Sequence, residues 1–469
     1  MMRLRIPAII FLILVLAPAV RAEEVYSHQQ TEGFRYELLA NETVRVLGYE
    51  GELPSKLTIP RRLDGYPVTV IAAQAFQNRG LTQVELPSGL FRIEEYAFAY
   101  NQITEVQLPD TLVDIEERAF GHNKLTSLRL PPSVEQIGVW AFMNNELEEI
   151  EFSNGLKIIG PGAFLRNRLR QLELPEGLKV IGGSGFRDNQ LERVEFPKTL
   201  TRIGKRSFAY NRLEKAVLPA SLSELGEKSF SDNRIREVIF EGELTALPSR
   251  VFQNNRIESI TFPQNLESIQ DSAFLNNKLK SLSLPDGLTI VGASGFRSNE
   301  INRLELPGGL KSVEASAFRE NRITELTLPD TLKEVHRGAF MNNQLQRVAF
   351  SPGLRVIGVN SFRENNLERV ALPDSVELLG RYAFAENPME TLVLPEQLEE
   401  AISIADIIGR DLLEAETTTP MEEETKNETV TIFDLWVEYQ NYFTWITMVL
   451  VLTGIAVIGR RLYKEIHQN

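Results

Sequence analysis

The run Phe120-Gly-His-Asn123-Lys-Leu125-Thr-Ser-Leu128-Arg-Leu130-Pro131-Pro-Ser-Val134-Glu-Gln-Ile137-Gly138-Val-Trp140-Ala141 ends where Phe142 starts it again. From Phe76 to Phe384 a Phe recurs every 22 residues, 15 times, with no insertion or deletion. Asn stands three residues after it in 14 of the 15 units, from Asn101 to Asn387, and Arg79 is the exception. Leu, Ile or Met follows at five, aliphatic residues at eight, fourteen and seventeen, and Leu or Phe at ten. Pro comes next at eleven in 12 units. A period of this length marks a solenoid, because one coil cannot bury its apolar side and a stack of coils can.

The alternation at eight and ten after Phe predicts a short strand whose ninth position faces out. Pro then ends it, since Pro lacks a ladder donor. Stacked strands are expected to form one parallel sheet along the array, about 4.8 Å per coil. Phe98, Phe120, Phe142 and their equivalents should stack as a buried spine. Asn101, Asn123, Asn145 and the rest should satisfy turn backbone groups coil after coil. A short 3₁₀ segment is expected in the turn.

These residues resemble the BspA-type leucine-rich repeats. Leu57-Thr-Ile-Pro60, Gly65-Tyr-Pro-Val68, Ile71 and Ala75-Phe76 look like that family's opening repeat, and Phe34-Arg-Tyr-Glu with Thr43-Val-Arg-Val46 looks like the hairpin before it. The resemblance covers about residues 30–400. It implies a curved leucine-rich-repeat solenoid of about 15–16 repeats, in proteins that are mostly secreted or on cell surfaces, several of which act in adhesion or host-protein binding. The chain departs from the pattern in its strict 22-residue period and its lack of Cys. Ligand preference does not transfer across such variable surfaces.

The length of 469 residues would suggest about three globular domains. The repeat replaces them with one solenoid at 54–400, preceded by a β-hairpin cap at 23–53. Residues 1–22 read as a signal peptide: Arg3 and Arg5, then an apolar run from Ile6, then Val20-Arg21-Ala22. The alternative is an uncleaved anchor. Residues 401–413 read as an amphipathic capping helix. Residues 414–430 carry six Glu against Lys426 and read as a disordered acidic stalk. A juxtamembrane segment at 431–441 leads to an uncharged run at 442–459, near the minimum for a membrane-spanning helix. Aromatic residues including Tyr442 and Trp445 lie on the outer side, and Arg460, Arg461 and Lys464 begin the basic tail 460–469. This order predicts a single-pass protein with its solenoid outside the cytoplasm and a short tail inside. A surface-sorting tail competes with that reading, though no LPxTG-like motif precedes the run.

With 50 Lys+Arg against 64 Asp+Glu the formal charge is −14, which argues against nucleic acid as a partner. The absence of Cys excludes disulfides, thiol nucleophiles and thiolate metal sites. His28, His122, His336 and His467 are too far apart for a local metal motif. No phosphate loop, carboxylate pair or Ser-His pairing departs from the repeat, so no cofactor and no enzyme activity are expected. Asn41-Glu-Thr43 and Asn427-Glu-Thr429 fit the glycosylation triplet, which matters only in a eukaryotic source.

The candidate ligand-binding positions lie on the outward strand face. Glu151, Glu173 and Glu195 occupy the ninth position of consecutive coils and predict a like-charge ladder. Glu148, Glu149 and Glu192 extend it, and Arg170 and Arg193 partly neutralise it. Val217 and Ile239 then place apolar residues on a face that should be wet. The sharp reading is a strip for a basic or mixed-charge protein or glycan from the extracellular space or envelope. The bland reading is a solvated surface. A Ca²⁺ site is disfavoured, because Glu side chains on a flat sheet do not wrap an ion. Trp140 reads either as an exposed anchor or as packing against the neighbouring coil. A structural spacer and a receptor-like ectodomain acting through a membrane partner are the competing roles.

Overall fold

The structure, a computed structural model, describes residues 25–399 and 404–408. Three antiparallel strands, β1 (Val25–Thr31), β2 (Phe34–Leu39) and β3 (Val44–Tyr49), open the chain. The expected hairpin is therefore one strand longer than read from the sequence. Strand β3 pairs in parallel with Tyr66–Ile71 of the first coil. Phe34 meets Tyr49 edge to face at 5.1 Å, and the buried Tyr36 hydroxyl donates to Asp64.

The Phe column is continuous. From Phe76 to Phe384 the rings make 14 successive stacked contacts, with centroids between 5.2 and 5.7 Å apart. Where the tenth residue is also Phe, as at Phe196 and Phe262, it meets the column edge-on. Stacked and edge-on geometry each suit the ring quadrupole. The aliphatic residues at five, eight, fourteen and seventeen close the core around the rings, and most are fully buried.

The Asn side chains tie coil to coil. Asn123 Oδ1 accepts the Ile103 N–H at 3.0 Å, while Nδ2 donates to the carbonyls of Phe98 and Phe120 at 2.9 and 3.1 Å. Asn101 and Asn145 repeat the arrangement, as do their equivalents through Asn387. One amide thus satisfies a donor in the preceding coil and acceptors in both. Without it the buried Ile103 N–H would have no partner, and the Phe98 and Phe120 carbonyls would each keep only one of their two Asn donors, Asn101 and Asn145.

Two expectations about the backbone are corrected. The strands at seven to nine after Phe do not form one long sheet. They pair two by two, as in Gln171–Glu173 with Arg193–Glu195. Most are three residues long, and the Pro that follows cannot extend the ladder. The long sheets form instead from two-residue strands at sixteen and seventeen after Phe. One runs from β1–β3 through Arg92–Ile93 to Glu224–Leu225, and a second from Ala246–Leu247 to Leu378–Leu379.

The turn around Phe is not a 3₁₀ segment either. Residues two before and two after each Phe take left-handed conformations, as Arg118 (φ 50°) and His122 (φ 59°) do beside Phe120. A left-handed residue interrupts any right-handed turn. The freed N–H groups of Arg118, Phe120 and His122 donate instead to Val139, Ala141 and Met143 of the next coil, each at 2.9 Å. This third ladder has all its N–H groups pointing toward the C-terminus of the array.

That ladder ends on a helix. Two short helices, α1 (Glu396–Glu399) and α2 (Ile404–Ile408), close the described chain. The carbonyls of Asp406 and Ile407 accept the N–H groups of Tyr382 and Phe384 at 2.7 and 3.2 Å. Ile407 is fully buried, and Arg381 pairs with Asp406 at 3.3 Å.

Candidate functional site

The outward strand face carries the candidate residues. Glu151, Glu173, Glu195, Arg170 and Arg193 are exposed, and Val217 and Ile239 are half-buried. Their inward neighbours Leu172, Val194, Ala216 and Val238 are buried and anchor the face to the core. Strand pairing sets Glu173 opposite Glu195, and Val217 opposite Ile239. Glu151 pairs in register with Arg129, whose Nε lies 3.5 Å from its carboxylate.

The like-charge ladder is partly offset. Glu151 has Arg129, and Glu195 is held by Arg193 two residues earlier on the same strand. Lys215 reaches Glu237 at 2.9 Å on the next pair. Glu173 has no cation partner among the described residues. Exposed pairs of this kind stabilise by less than about 1 kcal/mol each and leave the charges open to exchange partners. The face therefore presents a mixed-charge edge that runs into the adjacent Val217–Ile239 patch. The sequence showed the Glu row; it did not show Arg129 as its neutraliser, although Arg129 stands at the same ninth position one coil earlier.

Trp140 is not an exposed anchor. It is buried, and the guanidinium of Arg118 lies 4.3 Å from its ring centroid. Gly162, one coil on, has φ +62°, and a Cβ there would collide with the indole. The Arg118 guanidinium also lies 5.2 Å from the Tyr96 ring, so Tyr96, Arg118 and Trp140 form a cation–π column two residues before Phe. On the other side of Phe, Tyr100 stacks on His122 at 4.3 Å. Burial, then the nearby Arg118 and Arg166, hold the His122 imidazole below its usual range.

Near the array's start, Glu116 is pushed up to about 7, first by burial and then by Glu94. Arg92 lies 3.7 Å away and opposes the shift. No group of three His, Asp or Glu among the described residues is placed to hold a metal ion. No helix among the described residues is long and apolar enough to cross a membrane, and the runs 1–22 and 409–469 lie outside them.

Comparison with known proteins bears on the fold. Among solved structures, a leucine-rich repeat protein from Bacteroides ovatus is similar with a TM-score of 0.50 at 21% identity, over 80% of this chain and 100% of that one. A leucine rich cell surface protein from Faecalibacterium prausnitzii gives 0.44 at 19%, over 81% and 98%. The pneumococcal vaccine antigen PcpA gives 0.39 at 20%, over 79% and 99%. No curated protein matches the chain. The BspA type leucine rich repeat region (6 copies) matches residues 69–192, 179–302 and 289–403. The 22-residue coils, the Phe column and the Asn ladder are thus those of a chain that belongs to the BspA type leucine-rich repeat family.

Proposed function

We propose that this is a non-enzymatic interaction protein, exported and held at a membrane by residues 442–459, that binds a protein or glycan along its outward strand face. The observation that carries the reading is the junction of Glu173 and Glu195 with the half-buried Val217–Ile239 pair on one rigid surface. Aligned strands fix the spacing of these side chains, so a partner meets a preorganised surface. The acidic row supplies attraction for a basic or mixed-charge partner, and the apolar pair supplies a contact that excludes water. A spacer would have no need of either.

The test is a pull-down of surface, matrix and envelope components with the full chain in detergent, beside the triple variant Glu151→Lys, Glu173→Lys, Glu195→Lys. Retention of a ligand by the native chain and its loss from the variant, with an unchanged melting curve, supports the reading. Equal retention by both sinks it. Resistance of the full chain to alkaline extraction from membranes, lost on deletion of 442–459, tests the anchor separately.

A further inference from the structure

The sheet formed at sixteen and seventeen after Phe is interrupted at one place. Glu224–Leu225 ends the first long sheet, and Ala246–Leu247 of the very next coil starts the second. In the neighbouring coils the bonds across this line are regular: Ser223 and Glu224 donate to Thr201, Gly226 to Ile203, and Gln270 to Leu247. Among the described residues no backbone bond joins 223–226 to 245–248. The carbonyls of Ser223 and Leu225 and the N–H groups of Thr245 and Ala246 are left facing a gap.

The cause is written in one coil. Where eight coils have Gly at eighteen after Phe, this one has Pro248, which has no N–H to give the Leu225 carbonyl. It also has Glu241-Gly242 where 12 units have Pro at eleven, and its strand Glu237–Phe240 runs one residue longer than the usual three. The coil stays attached on both other ladders: Lys215–Leu218 pairs with Glu237–Phe240, and Phe230 donates to Val251 at 3.0 Å. Only the Pro248 side opens.

The opening is a cleft of about 430 Å³. Leu225 and Leu244 line its apolar part, and Leu225 is half-buried where its equivalents Ile203 and Leu247 are fully buried. Arg202 with Glu224, and Lys205 with Glu227, form ion pairs at 3.0 Å along one rim. The volume falls within the ordinary range of ligand sites.

We propose that this seam is a strand-insertion site for an extended peptide segment of a partner protein, held open by Pro248. Both walls present unpaired strand backbone, acceptors on one and donors on the other. An extended peptide satisfies both sets at once, which a sugar or a folded surface does not. Alternate side chains would turn to the Leu225–Leu244 floor and to the charged rim, so the peptide should alternate aliphatic and polar residues. The site lies off the outward strand face and does not depend on the binding proposed there.

The experiment uses the full chain and the capped peptide Ac-Leu-Thr-Arg-Ile-Gly-NH₂, which copies the intact rung Leu200–Gly204. Saturable binding is expected, with amide exchange at Thr245 and Ala246 fast in the free protein and slowed at least 10-fold by the peptide. Pro248→Gly, which restores the common residue, should weaken the peptide at least 10-fold, as should N-methylation of the peptide's alternate amides. Slow exchange at Thr245 and Ala246 in the free protein, no saturation up to about 1 mM peptide, undiminished affinity in P248G, or equal binding of the N-methylated peptide would each overturn the proposal.

Discussion

The N–H of Phe384 donates to the carbonyl of Ile407 at 3.2 Å, and through this bond α2 completes a ladder that every earlier Phe completes on the next coil. Tyr382 does the same with Asp406. An end without α2 would leave these donors unpaired beside an uncovered Phe ring. Ile407→Asp puts a charge into a fully buried position and should cost about 3 kcal/mol at that end. Because each coil contacts only its neighbours, the loss should be local. Limited proteolysis should then cut first within residues 362–399, and uniform protection there would contradict the capping role.

The Asn ladder gives a second test. In Asn233→Ala the Leu213 N–H loses its side-chain partner, while the carbonyls of Phe208 and Phe230 each lose one of two Asn donors and keep Asn211 and Asn255. The unsatisfied buried Leu213 N–H should cost about 1–3 kcal/mol, more than Glu237→Ala on the surface. Asn233→Asp keeps the acceptor for Leu213 but turns a carboxylate toward the three carbonyls of Phe208, Phe230 and Ser231, and should be no better than Ala. Chemical denaturation of the three variants decides the order.

How far the sequence alone reaches can be judged from these same positions. Phe, Asn and the aliphatic residues are legible because burial and amide chemistry accept few substitutes at a fixed spacing. The paired left-handed residues are not. Arg118, Trp140, Tyr210 and Lys228 show no Gly signature, because coil-to-coil hydrogen bonds and not residue preference hold them there. The seam was legible in principle, in Pro248 and Glu241-Gly242, but only as a departure from the repeat. On the outward face the Glu row could be read, whereas its offset by Arg129 depends on which strands pair.

Glu116 makes stability pH-dependent. Its folded pKa of about 7 lies above the usual carboxylate value, so the folded chain holds the proton more tightly than the unfolded chain does. Between pH 4.5 and 7 the native state binds more protons, and this group's contribution to stability falls as pH rises. Glu116→Gln should remove that slope and raise stability near pH 8 by roughly 1 kcal/mol, the shift being discounted for the side chain's partial exposure. Denaturation midpoints of both proteins at pH 5 and 8 check this. A gap between the two that does not widen toward pH 8 would rule it out.

Gly162→Ala tests the cation–π column. The new methyl would collide with Trp140 at a position already at φ +62°. The indole should leave Arg118 and become more exposed, with a red-shifted Trp emission and a loss of about 1–3 kcal/mol. Gly309→Ala has ordinary φ and one backbone oxygen at 3.2 Å, and should move the emission little. Equal spectra for the two variants would mean that the column does not depend on the space at Gly162.

The direction of the Phe-side ladder has a consequence for assembly. Its donors all face one end of the array and its acceptors the other, so the two ends of any uncapped stretch of coils are complementary surfaces. A contact of that kind is head-to-tail and does not close on itself, and it would join one molecule to the next into an open filament. What keeps the array finite is then not the repeat, which would accept another coil at either end. At the finish it is α2, a piece of chain whose Asp406 and Ile407 carbonyls take the last donors of this ladder without being another coil; at the start β3 joins the first coil on the other sheet, through Tyr66–Ile71.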